Sequence, residues 1–137
     1  PAAWELDVLA FSPEGKRIAY VAAPTPVVNP SSPSGSQPNQ LKVIAFDGGT
    51  LLHQFDWPGT SAGEPRWAPS GEAIDYVLTR NGASNIWRQK LSGGTPKQIT
   101  NFESGQIFDF DWSRDGKQLA LTRGSQSSDV ILISNFR

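Results

Sequence analysis

Apolar and polar residues alternate along this chain in short runs, and nowhere do they recur at a helical spacing of useful length. The middle of the chain shows this best. EPRWA, AIDYVLT, NIWRQKL and PKQIT are rich in β-branched and aromatic residues, and Gly, Pro, Asn or Asp bounds each of them. Runs of this kind predict four β-strands joined by tight turns.

The same arrangement recurs on either side. FSPEGKRIAYVA from Phe11, WAPSGEAIDYVL from Trp67 and WSRDGKQLALTR from Trp112 each place an aromatic before a turn, a glycine in it, and an alternating strand after it. The turn glycines Gly15, Gly71 and Gly116 are 56 and 45 positions apart, which by itself argues against a regular repeat. A second marker restores the register. Gly48-Gly49-Thr50 follows Gly15 by 33 positions and Gly93-Gly94-Thr95 follows Gly71 by 22, a difference of 11 that equals the difference between the two periods. From Thr50 to Trp67 and from Thr95 to Trp112 the distance is 17 in both cases. The excess therefore lies in the Pro/Ser/Asn-rich tract APTPVVNPSSPSGSQPNQ, an insertion at 23–40 within a unit of about 45 residues.

Four antiparallel strands in a repeated unit of this length are the sequence signature of a β-propeller blade. The expected fold class is all-β, an incomplete propeller of about three four-stranded antiparallel sheets. The expected blades are 5–58, interrupted by the insertion, then 63–103, then 106–137 without its outer strand. A third Gly-Gly-Thr would fall one position past Arg137. Because about four to eight blades close a ring, three cannot. Such a set is expected to expose two apolar sheet faces, to be covered by the remainder of its own propeller or by further copies of the chain.

Trp112-Ser113-Arg114-Asp115-Gly116-Lys117, followed by QLALT, resembles the W-S-P-D-G-K turn and strand of TolB-type, WD-like propeller repeats. FSPEGK and WAPSGE are degenerate versions, so the resemblance covers nearly the whole chain. It implies the fold and a bacterial source, and it slightly favours a periplasmic or extracytoplasmic location. It leaves function open, since such repeats occur in translocation proteins, in peptidase gating domains, and in sensory regions of bacterial kinases and winged-helix regulators. LALTRGSQSSDVILISNFR looks like the last blade of those regulators.

Composition narrows the function classes. Twelve basic and thirteen acidic residues give a formal net charge of −1, with no basic cluster to track a phosphate backbone, so nucleic acid is not an expected partner. With no cysteine there is no thiolate nucleophile or thiolate metal site, and no apolar run approaches the roughly 18 residues of a membrane span. Gly59-Thr60-Ser61-Ala62-Gly63 has the form G-x-S-x-G, but Glu64-Pro65-Arg66-Trp67 starts a strand where a nucleophile elbow needs a helix. The single histidine, His53, is expected on an outer strand. No catalysis and no cofactor are expected.

Trp67 and Trp112, at one repeat position with Phe11, are expected to pack between sheets; Trp4, Trp57 and Trp87 are less constrained. Candidate partner-binding residues are Arg80, Asn81, Arg123 and Asp129. They lie in two loops expected on one rim, 80–84 and 123–129, where two guanidiniums suit an anionic group. Asp109 and Asp111 suggest a metal, but a calcium loop starting at Asp109 needs glycine sixth and glutamate twelfth, where the chain has Arg114 and Ala120. Strict alternation would put Phe108, Phe110 and Trp112 on one face of their strand, and the two aspartates on the other. The expected function is a protein- or ligand-recognition or scaffold module within a larger bacterial propeller. The alternative is the propeller of a multidomain peptidase, kinase or regulator whose catalytic domain lies elsewhere.

Overall fold

A computed structural model describes residues 9–22, 38–58 and 63–125. Its ten strands are β1 (Leu9–Phe11), β2 (Arg17–Ala22), β3 (Gln40–Ala45), β4 (Leu51–Asp56), β5 (Arg66–Trp67), β6 (Ala73–Arg80), β7 (Ala83–Lys90), β8 (Lys97–Gln98), β9 (Gln106–Trp112) and β10 (Leu119–Gly124). They form three antiparallel sheets in sequence order: β1 to β4, β5 to β8, and β9 with β10. There is no helix among the described residues, and the three sheets do not close on one another. The outer part of the third sheet expected within 126–137, and the insertion up to residue 37, lie outside the described residues.

The sequence repeat is a repeat of hydrogen bonds. Ser12, Ala68 and Ser113 each donate their N–H to the carbonyl five residues on, Arg17, Ala73 and Gln118, at 2.8–2.9 Å. Gly15, Gly71 and Gly116 each donate back to the carbonyl three residues earlier, at 2.8–2.9 Å, with φ between 68° and 72°. Positive φ is why glycine marks the register.

These turns also stack from sheet to sheet. Arg17 Nη2 donates to the Gly71 carbonyl at 2.8 Å, and a Cβ on Gly116 would lie 2.6 Å from Pro69 Cβ. A Cβ on Gly15 would meet nothing within 4 Å, although its φ is nearly the same. Gly15→Ala should therefore cost only the left-handed backbone term, about 1–2 kcal/mol. Gly116→Ala should cost at least about 1 kcal/mol more, since the added methyl also overpacks the contact with Pro69. Equal losses in urea titrations of the two variants would contradict the stacking.

The first and third turns each carry an acid whose pKa is lowered. Arg17 hydrogen-bonds Glu14 at 2.6 Å, and the Ser113 hydroxyl donates to Asp115 at 2.6 Å, with the Lys117 N–H as a second donor. A carboxyl depressed in the folded state contributes stability above its unfolded pKa of about 4, and that stability is lost as pH falls through the folded value. The acid limb of a Tm-against-pH curve should be flatter in the Glu14→Gln/Asp115→Asn double variant, and an unchanged slope below about pH 4 would refute it.

The second sheet is packed on both faces, which explains why Ala73 to Leu78 are all buried. Ile74, Tyr76 and Leu78 meet Ala19, Leu41, Val43 and Trp57 of the first sheet and its exit. Val77 and Ile86 meet Ile107 and Phe110 of the third. The outward-facing residues of the described strands differ between the first and third sheets. Leu9 and Phe11 are exposed on the first sheet, with the Phe11 ring 5.7 Å from that of Phe46. On the described strands of the third sheet Asp111, Ala120 and Thr122 are exposed instead.

Three expectations are corrected. The β9–β10 ladder pairs Asp109 with Thr122 and then Ile107 with Arg123, so Phe108 is bulged out. Ile107 and Phe110 are the buried side chains, and Phe108 is 60% exposed. A bulge redirects side chains in this way, and alternation cannot foresee it. The loop expected at 80–84 shrinks to Asn81 and Gly82, with φ of 52° and 78°; these values suit the tight turn of a two-residue hairpin, and Ala83 and Ser84 are buried in β7. The strand expected over PKQIT keeps only Lys97 and Gln98. The Thr100 hydroxyl accepts the Ile86 N–H at 2.9 Å, so a side chain takes the place of the next ladder bond.

Candidate functional site

The polar chemistry between the sheets centres on Asp75, the lone charge in AIDYVLT. Its side chain is fully buried and accepts from Arg88 Nε at 2.6 Å, Arg88 Nη2 at 2.8 Å and Trp112 Nε1 at 2.9 Å. Asp75 and Arg88 sit opposite each other on β6 and β7, while Trp112 belongs to the third sheet. The Asp75 carboxylate holds the Arg88 proton more firmly than usual by this hydrogen bonding. Trp67 is the counterpart one sheet earlier. It is buried, donates Nε1 to the Ala10 carbonyl at 2.9 Å, and lies under the Arg17 guanidinium at 4.9 Å. Each tryptophan thus reaches onto the preceding sheet. Phe11, at the same repeat position, is 54% exposed.

A groove of about 530 Å³ runs between the second and third sheets, lined by Glu64, Arg66, Thr79, Ser84, Phe108 and Asp109 among others. Arg66 Nη2 lies 3.2 Å from Asp109 and 4.0 Å from Glu64, and the Thr79 and Ser84 hydroxyls share a hydrogen bond of 2.7 Å. Asp109 is therefore engaged by a cation, while Asp111 accepts the Trp112 N–H at 2.8 Å. Among the described residues no three His, Cys, Asp or Glu gather as a metal site would require. Arg66 was not singled out in the sequence, where the charge alternation of EPR is its only signal, and Phe108 was expected on the face of Phe110.

A second concavity, of about 330 Å³, lies beside the Asn81-Gly82 turn and is lined by Arg80, Asn81, Trp87, Gln98, Phe102 and Glu103 among others. Arg80 ends β6 and Arg123 is the last residue but one of β10, and each guanidinium lies over an aromatic ring: Arg80 over Trp87 at 4.5 Å, Arg123 over Phe102 at 3.7 Å. Phe102 lines this concavity, so the structure brings Arg80 and Asn81 into one site and sets Arg123 against its wall. Asp129, Ser61 and Trp4 lie outside the described residues. Burial raises the pKa of the Tyr76 phenol nearby, with the Arg80 charge opposing it. Trp57 is buried with its ring 4.8 Å from that of Tyr76, and His53 is stacked on Phe55 in the outermost strand of the first sheet.

No family model matches the chain. Tricorn protease homolog 1 of Streptomyces coelicolor is 33% identical over 64 residues, which is 47% of this chain and 6% of that protein. An acylaminoacyl peptidase structure from Pyrococcus horikoshii superposes on 86% of the chain with a TM-score of 0.55 and 18% identity. The AtxE2 isopeptidase superposes on 78% with a TM-score of 0.50 and 23% identity, and its variant with Astexin3-dC4 bound on 79% with 0.51 and 22%. The fold is β-propeller-like. The chain spans 17–19% of these solved chains, all of them peptidases by name.

Proposed function

We propose that this chain is a recognition or scaffold section of a larger β-propeller of TolB type, without catalysis of its own. The observation that carries the reading is the repeated aromatic position. Trp67 and Trp112 each seat on the sheet before them, and Phe11 presents an apolar face of the same construction to a further sheet. The remainder of the same propeller is the occupant that this repetition suits best, with further copies of the chain as the other possible source. Arg80, Asn81 and Arg123 provide the surface for a protein partner.

A second reading is favoured by the similarity to a Tricorn protease homologue and to peptidase structures: the larger protein is a peptidase, and its reaction centre lies in another domain. His53, the chain's only histidine, is held against Phe55 on an edge strand, which supports placing hydrolysis elsewhere. The flanking coding sequence and a peptidase assay test both readings. Further repeats with the Trp/Gly register should flank the chain, and the chain alone should not cleave chromogenic peptides. Turnover by the chain alone, abolished by His53→Ala, would overturn the non-catalytic reading.

A further inference from the structure

We propose that the concavity beside the Asn81-Gly82 turn binds an acidic side chain of a peptide segment, with Arg80 as the group that holds the carboxylate. This inference takes its purpose from the recognition reading above. Its geometry is independent of ring closure, because its walls come from the second sheet and the segment leaving it, all within the described residues.

Arg80 lies over the Trp87 ring at 4.5 Å. A guanidinium held over an indole loses much of its side-chain freedom before any ligand arrives, yet its N–H groups remain at its edge. That fork suits the two oxygens of a carboxylate, and pre-ordering it lowers the entropy lost on binding. The same stacking covers the indole, so the site does not offer the bare aromatic face that a sugar ring would use.

The opposite wall is held equally firmly. Asn85 accepts the Phe102 N–H at 2.7 Å and the Thr100 hydroxyl at 3.0 Å, and donates to the Phe102 carbonyl at 3.0 Å. With its side-chain amide engaged on both ends, the segment 100–102 is clamped to β7. Arg123, over Phe102, donates to the Ser104 carbonyl at 2.6 Å, which fixes the next residues as well. Glu103 lines the same concavity as Arg80, so the site carries one charge of each sign. A peptide with a glutamate and, beside it, a lysine matches this dipole; a run of phosphates would meet Glu103 with like charge.

The test is fluorescence anisotropy on the full chain with a labelled hexapeptide, acetylated and amidated at its ends, that contains one Glu-Lys pair. The control peptide has Gln in place of Glu. The Glu peptide should bind at least about tenfold more tightly than the Gln peptide, a difference well within reach of one bidentate charge-assisted contact. Arg80→Ala should erase the preference, Arg80→Lys should restore little of it, and Glu103→Gln should weaken selection of the lysine. Arg80 is exposed, so circular dichroism should show the variants folded. Equal binding of the two peptides, no binding of either, or a preference that survives Arg80→Ala would overturn the proposal. None of those results would touch the larger-propeller reading, which the flanking repeats decide.

Discussion

Asp75→Ala should lower the unfolding free energy by about 3 kcal/mol, the low end of what removing one partner from a buried pair costs. The fully buried carboxylate is the common acceptor for Arg88 Nε–H and Nη2–H and for the indole N–H of Trp112. Without it, three donors lose their partner in an interface that water enters poorly. The low end applies because the Arg88 side chain keeps 30% of its surface in water and can rehydrate in part. In a chain of this size the loss corresponds to a fall in Tm of roughly 10 °C. A cycle with Trp112→Phe should return a coupling of about 1 kcal/mol, because the indole bond and the carboxylate are the same contact. A loss under about 1 kcal/mol would mean that the second and third sheets are not held through Asp75.

Trp67→Ala should cost about 3–5 kcal/mol, the range for emptying a buried aromatic site. Phe11→Ala should cost under about 1 kcal/mol, because its ring is already largely in water. The two residues occupy one position of the repeat. Trp67 is 8% exposed, bonded to the Ala10 carbonyl and capped by Arg17, whereas Phe11 is 54% exposed. The comparison therefore isolates what a preceding sheet contributes at that position. Similar losses for both variants, measured in urea at low protein concentration, would contradict the assignment of Phe11 to an open face.

Most of the architecture was legible in the sequence because a few positions have no substitute. A positive-φ turn needs glycine at Gly15, Gly71 and Gly116, and a packed sheet interface favours an aromatic before each turn, so the repeat survives although most other residues have diverged. Register within β9 was not legible. One bulged residue, Phe108, puts Ile107 in its place on the buried side with Phe110, and no residue type marks it in advance. The width of the second hairpin was misjudged for a related reason. Asn81-Gly82 carries the whole turn, and the small polar Ser84 that looked like loop is a buried strand residue whose hydroxyl pairs with Thr79.

Around the two concavities, the arginines were legible in the sequence and their surroundings were not. Arg80 and Arg123 stand out at the ends of alternating strands, whereas Trp87 and Phe102 come from other strands and loops and meet them only through the folded sheet. The Asp75 lock had a faint signal, one charge inside a strand apolar on both faces, and such a residue must find partners or not be buried. Asp109 and Asp111 looked alike in sequence but differ in the fold, since only Asp109 faces Arg66 across the groove.

Under the proposed function, the open apolar face of the first sheet packs against another sheet. Hydroxyl-radical footprinting, read by mass spectrometry, tests it most directly. It compares this chain at low concentration with the polypeptide of the intact reading frame. Leu9 and Phe11, 50% and 54% exposed here, should be modified readily in the chain alone and strongly protected in the intact polypeptide, while Trp67 stays protected in both. Equal modification of Leu9 and Phe11 in the two samples would contradict the claim.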